Sequence, residues 1–227
     1  MQKIAETASP IARRPLHEEV AERLRQMITE GRLKQGEKLN ERILAEQLAV
    51  SRTPLREAIK MLAAERLVSL LPHRGAVVAR LERATVVHLF ELMAALEGLS
   101  GELAALRCEP EALAEITATH FDMLAAHARR DLPTYYQCNR EIHRSINRAA
   151  ANPELSETYD AVNSRIQALR FRSNFNQDKW DSAVIEHQAM LKALTARDGA
   201  QLRQLLETHL RNKRDAVLEQ LPAEQLH

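Results

Sequence analysis

The sequence predicts a mainly α-helical protein in two parts. A small N-terminal module of short helices ends in one β-hairpin, and an all-helical antiparallel bundle of six to seven helices follows. Three observations predict this. Apolar residues recur at three- and four-residue steps through most of the chain. The only β-prone runs fall together, at residues 67–71 and 76–79. The 227 residues give room for two modest domains, and charge divides between them. Residues 1–80 hold 15 Lys and Arg against 10 Asp and Glu, whereas the remainder holds 17 against 21. A basic head on an acidic body fits polyanion binding at one end.

Residues 1–14, with Pro10, Arg13 and Arg14, are expected to form a flexible arm. The module at 15–80 contains two amphipathic helices, one marked by Ile43, Leu44 and Leu48, the next by Leu55, Ile59 and Leu62. Asn40 can cap the first, with Glu41 in its first turn. Ala49 and Val50 close the turn between them. Ser51 suits the N-cap of the second, where Pro54 is tolerated in the first turn. The second helix therefore opens with free backbone N–H groups, hydroxyls at Ser51 and Thr53, and cations at Arg52 and Arg56; Arg42 lies on the first helix. That chemistry suits phosphate oxygens and guanine edges in a major groove. The β-prone runs are joined by Pro72, His73, Arg74 and Gly75, a turn with a positive tip. In this order the parts read as a winged helix-turn-helix. Each part alone has a blander reading, as a capped, solvated helix end or a plain loop.

The motif L-x-x-G-x-x-L-x-E-x-x-L-A-x-x-L-x-V-S-R-T-P-x-R-E-A-I at residues 33–59 resembles the N-terminal domain of GntR-type bacterial transcription regulators, over roughly residues 16–80. The resemblance implies a homodimer on a pseudo-palindromic operator in double-stranded DNA. It carries DNA contacts onto Arg42, Arg52, Thr53 and Arg56, and a minor-groove approach onto His73, Arg74 and Gly75. Lys34 and Lys38 would add nonspecific charge.

A linker is expected at residues 81–84 and the helical body at 85–220. Helical patterns run at 83–107, 110–129, 132–150, 153–173, 179–196 and 198–219, punctuated by Pro110, Asp131, the Asn152-Pro153 pair and Asp198. The body resembles the FadR-type C-terminal domain (FCD) through residues 92–106 (LMAALEGLSGELAAL), Asn139 with His143, Asn152-Pro153, Glu186-His187 and His209-Leu210. This resemblance implies sensing of a small molecule, usually a carboxylate metabolite, that alters operator affinity.

Of the nine histidines, His17, His88, His120, His127 and His227 lack a partner at diagnostic spacing and read as ordinary surface or half-buried residues. His143 shares a helix face with Asn139, Ile142 and Ile146; His187 with Val184, Leu191 and Leu194; His209 with Leu202, Leu205, Leu206 and Leu210. All three are expected to face the interior, where an imidazole needs a partner. Three histidines and one oxygen donor suit Zn²⁺, Ni²⁺ or a similar divalent cation with positions open to a ligand carboxylate. A core histidine bonded to a neighbour is the competing reading for each. The resemblance places the trio on the family's metal positions, with one departure: the usual Asp is Asn139, which offers a neutral oxygen and implies weaker metal affinity. In a second departure Met93 stands where relatives place an arginine for the effector carboxylate, leaving Arg165, Arg170 and Arg172 as candidate replacements.

The expected protein is a metabolite-responsive regulator, a repressor released by a small organic acid. A regulator whose body only dimerises is one alternative, a His-metal hydrolase the other. Against the enzyme stand the lack of a nucleophile motif or phosphate loop, and Glu186, set about 100° from His187 on its helix and expected to point elsewhere. The two cysteines, Cys108 and Cys138, form no framework. No apolar run approaches ~18 residues, and the N-terminus has no secretory core, so a membrane-free, cytoplasmic protein is expected.

Overall fold

A computed structural model describes residues 15–221 except His73, Leu81 and residues 174–176; the side chains of residues 168, 171–173, 177 and 178 are also outside the description. The expected arm at 1–14, the contact at His73, the Arg172 side chain and His227 thus lie outside the described residues.

Helix α1 (Leu16–Thr29) buries Val20, Leu24, Met27 and Ile28 against α3. The helix-turn-helix is α2 (Glu41–Gln47) and α3 (Arg52–Ala64). Asn40 caps α2 as its position suggests, its Oδ1 accepting from the Arg42 and Ile43 N–H groups at 3.2 Å. The turn passes through Ala49, whose φ of 53° is left-handed. Leu55, Ala58, Ile59 and Leu62 form the buried stripe of α3. Strands β2 (Val68–Leu71) and β3 (Gly75–Val78) make the expected hairpin. A third, β1 (Lys38–Leu39), pairs antiparallel with β3, with Leu39 opposite Ala76, and gives the order β1-β3-β2. Two residues leave too little alternation for β1 to show in the sequence.

Among the described residues six helices follow: α4 (Arg83–Arg107), α5 (Pro110–Ala128), α6 (Leu132–Ala149), α7 (Pro153–Ser173), α8 (Gln177–Thr195) and α9 (Gly199–Gln220). Helix α4 begins inside the stretch read as linker, and Arg83 Nη1 donates to the Leu218 carbonyl at 2.7 Å, tying its start to the end of α9. Asp131, Asn152 and Asp198 cap α6, α7 and α9 through bonds to the N–H groups of Thr134, Leu155 and Gln201. One core cluster gathers α4, α5, α6, α8 and α9 around Tyr135, Met123, Leu202 and Trp180; another gathers α4, α7 and α9 around Phe90, Met93, Tyr159 and Ile166. Among the described residues no helix is long and apolar enough to cross a membrane.

A DNA-facing head and a buried histidine cluster

Lys38, Arg42 and Arg52 of the head share one surface. Ser51, Arg52, Thr53 and Arg56 are all exposed at the start of α3. Ser51 occupies the N-cap position, yet its hydroxyl makes no capping bond. Arg42 pairs with Glu46 at 3.0 Å and Arg56 with Glu41 at 2.8 Å, both on the surface, where such pairs contribute at most ~1 kcal/mol and exchange readily. Arg52 makes no ion pair among the described residues. Lys38, Asn40, Glu41, Arg42, Arg52 and Gly75 line an open groove of about 460 Å³, which brings both helix starts and the wing to one surface. Gly75 takes φ 86°, and the Arg74 N–H closes the wing turn on the Leu71 carbonyl at 3.0 Å.

In the body, α6, α8 and α9 bring His143, His187 and His209 together. Their ring centroids lie 5.0–5.2 Å apart, each residue is at most 2 % exposed, and one nitrogen of each falls within 4.8 Å of the others. Burial holds His143 below its ordinary pKa and His187 well below it; His209 falls to about 4 for the same reason, against the pull of Glu186. All three are therefore neutral near pH 7, the form that donates a lone pair to a cation.

Two carboxylates orient the rings. Glu186 Oε2 lies 2.5 Å from His209 Nδ1, and its Oε1 accepts from Asn212 Nδ2 at 2.5 Å. This corrects the expectation that Glu186 points away from the site: it misses its neighbour His187 but reaches the next helix. Glu97 Oε2 lies 2.6 Å from His143 Nδ1, a close polar contact whose angles fall outside a hydrogen bond. Both contacts leave Nε2 facing the cluster. Burial resists ionisation of Glu97, but His143 and Arg170 outweigh it and carry its pKa down to about 2. Because His143 is itself held neutral, the permanent charge of Arg170, 2.9 Å from Glu97 Oε1, secures that carboxylate.

A divalent cation fits this donor set. His143 Nε2, both nitrogens of His187, His209 Nε2 and Asn139 Oδ1 are all buried without a hydrogen-bond partner among the described residues. Asn139 is 3 % exposed, one turn before His143 on the inner face of α6. Orphaned buried polar atoms are uncommon, and several in one place point to a missing partner.

The remaining candidates separate. Arg170 reaches the cluster's edge through Glu97. Arg165 is half-buried, and after burial the main influence on it is the positive charge of Arg66 in the head. Met93 is buried in the α4–α7–α9 core. His120 is not the surface or half-buried residue expected: at 3 % exposure it is buried on α5. His127, by contrast, bonds Asp181 at 2.7 Å and meets Trp180 edge-on. Glu97 and Lys213 were missed. Glu97 continues the buried stripe of Phe90, Met93 and Gly101, and Lys213 that of Leu206, His209 and Val217; a charge on an otherwise apolar stripe was the readable signal.

A winged helix-turn-helix joined to a helical body with a polar, buried centre defines a DNA-binding, ligand-responsive class of protein. Residues 16–78 match the gntR family of bacterial regulatory proteins, and residues 88–212 match the FCD domain. The chain belongs to the GntR family of transcription regulators, in the group with an FCD C-terminal domain. It is 29% identical over 192 residues to the "Probable D-xylose utilization operon transcriptional repressor" of Paenarthrobacter nicotinovorans, covering 85% of this chain and 84% of that one. It is 32% identical over 182 residues to the "Glc operon transcriptional activator" of Escherichia coli strain K12, covering 72% and 70%. In fold it is similar to E. coli McbR/YncC, with a TM-score of 0.81 at 24% identity over 92% of this chain and 99% of that one. The first two are named as regulators of transcription, not as enzymes, one as a probable repressor and the other as an activator.

Proposed function

We propose that this regulator is a homodimeric repressor, acting in the bacterial cytoplasm, that a small organic acid releases from its operator. The acid binds beside a divalent cation, Zn²⁺ or Ni²⁺, held by His143, His187 and His209 with Asn139 as an oxygen donor. The convergence of three buried, neutral imidazoles with unpartnered nitrogens carries this reading. Such an ion supplies Lewis-acid positions for a carboxylate oxygen. The chain's own groups do the rest: Glu97 and Glu186 fix the His143 and His209 rings, and Arg170 keeps Glu97 ionised. Calorimetric titration of metal-free protein with Zn²⁺ and Ni²⁺, repeated on His187→Ala, tests the site. Heat from the wild type alone supports it; no heat from either ends it.

On DNA, Arg52 and Arg56 read base edges while Arg42, Ser51, Thr53 and the wing residues Arg74 and Gly75 set position along the backbone. A gel shift on DNA flanking the protein's own gene, with and without metal and organic acids, tests the whole reading. Arg52→Ala is expected to lose preference for operator over random duplex by roughly 10- to 100-fold, at ~1–3 kcal/mol per base contact. Lys34→Ala is expected to weaken both duplexes alike. Equal losses for Arg52→Ala would remove its base-reading role.

Pairing of two copies is supported by α4. Leu92, Leu96, Leu99, Leu103 and Leu106 alternate at four- and three-residue steps, and Leu92, Leu99 and Leu106 are 46%, 36% and 72% exposed. That spacing is the seam of a left-handed helix pair. Leu99→Asp is expected to give monomers in analytical ultracentrifugation and weak operator binding; an unchanged dimer would move the interface elsewhere.

A further inference from the structure

We propose that the cleft between head and body is a second ligand site, separate from the histidine cluster, and that it takes a small zwitterion of the amino-acid class. Two adjoining cavities of about 330 and 300 Å³ make up this cleft, and Glu22, Arg25, Arg140 and Gln167 line both. Each is large enough for a small molecule. One wall is α1 with Glu65 at the end of α3, and the other is α6 with α7. A molecule held there touches both parts of the chain at once. Neither His143, His187 and His209 nor Asn139 lines either cavity.

The two walls carry opposite charges in excess. On the head side a single guanidinium, that of Arg25, serves the carboxylates of both Glu22 and Glu65, which leaves one negative charge over. On the body side Arg144 and Asp160 balance each other at 3.7 Å. Arg140 makes no hydrogen bond or ion pair among the described residues, although its Nε is buried, and this leaves one positive charge over. A simple anion would satisfy Arg140 but meet the Glu22 and Glu65 carboxylates, and a simple cation would do the reverse. A zwitterion sets its carboxylate on Arg140 and its ammonium on those carboxylates, and it adds no net charge to a half-enclosed space. Gln167 supplies a neutral contact. It is 8% exposed, its backbone carbonyl accepts from the Tyr136 hydroxyl at 2.8 Å, and its side-chain amide has no partner among the described residues. A buried amide left open beside an unpaired guanidinium points to a missing polar partner.

The test titrates full-length protein with L-serine, L-glutamine and L-leucine by calorimetry. Each is set against two analogues that lack one of its charges: 3-hydroxypropanoate and ethanolamine, glutaramate and 4-aminobutanamide, 4-methylpentanoate and isoamylamine. At least one amino acid is expected to bind about ten-fold or more tightly than both of its analogues. Arg140→Gln is expected to weaken that binding about ten-fold or more, and Gln167→Ala about three-fold or more, with the ligand-free Tm unchanged. His187→Ala is expected to bind it as the wild type does. Binding of no amino acid, or equal binding of a singly charged analogue, overturns the proposal. So does binding that survives Arg140→Gln, or binding lost in His187→Ala, which would place the ligand at the histidine cluster. Should Arg140→Gln lower the ligand-free Tm, Arg140→Lys decides, because it keeps the charge: retained binding supports the site, and lost binding overturns it.

Discussion

Each residue of the histidine cluster is stable only in one protonation state, and this couples stability to pH. His143, His187 and His209 have native pKa values below the unfolded value of 6.5, so below that pH the unfolded chain binds more protons. The stability these three groups contribute is therefore fully present above pH 6.5 and is lost as pH falls toward about 4, with each group contributing a slope of up to ~1.4 kcal/mol per pH unit. Glu97 adds a second loss in the same direction between its unfolded 4.5 and its native value of about 2. Denaturant midpoints of the metal-free protein are expected to fall steadily from pH 7 to pH 5. A flat profile over that range would mean that the rings are charged or solvated in the native state. Glu97→Gln is expected to cost about 3–5 kcal/mol at pH 7 by leaving the Arg170 charge buried without its carboxylate.

At the scale of elements, the site depends on how closely α4 approaches α9. A Cβ on Gly101 would stand 2.4 Å from Leu206 Cδ1 and 2.9 Å from Leu202 Cγ; one on Gly98 would stand 2.9 Å from Glu207 Cγ. The two glycines thus let the helix carrying Glu97 lie against the helix carrying His209 and Lys213. Gly101→Ala is expected to destabilise by about 1–3 kcal/mol through overpacking and to weaken metal binding, and adding Leu206→Ala is expected to recover part of both. Full metal affinity in the single variant would show the cluster to be independent of this contact. Such packing also marks the limit of what the sequence reveals. The helices were legible because their caps and 3.6-residue stripes are local, and the three histidines because each lies on such a stripe. That His143 meets Glu97, that Glu186 reaches His209 rather than His187, and that Arg170 but not Arg165 joins the centre depend on how helices far apart in sequence rotate against one another. Strand β1 was hidden for a related reason: two residues become a strand only through pairing with β3.

For the whole molecule, the question is how the centre of the body can affect a helix tip in the head. Arg170 Nη1, besides holding Glu97, donates to Asn163 Oδ1 at 3.3 Å, and Tyr136 donates to the Gln167 carbonyl at 2.8 Å. Asn163 and Gln167 line a cleft of about 330 Å³ whose opposite wall is Glu22 and Arg25 of α1 with Glu65 at the end of α3. Arg25 holds Glu65 by two bonds, of 3.0 and 2.7 Å, which tie α1 to the end of α3. A ligand that changes the charge around Glu97 and Arg170 therefore acts on α7, and α7 faces the head across this cleft. Ligand binding can shift operator affinity only by its preference between two arrangements of head and body, typically worth ~1–3 kcal/mol. Asn163→Ala removes one link while leaving the metal donors and the Arg170–Glu97 pair in place. It is expected to keep metal binding and ligand-free operator affinity within about two-fold while reducing the effector-induced shift by ~0.5–2 kcal/mol. Operator titrations with and without the acid that releases the wild type measure that difference. An undiminished shift would mean that the signal leaves the body by another route, the paired α4 helices being the next to test.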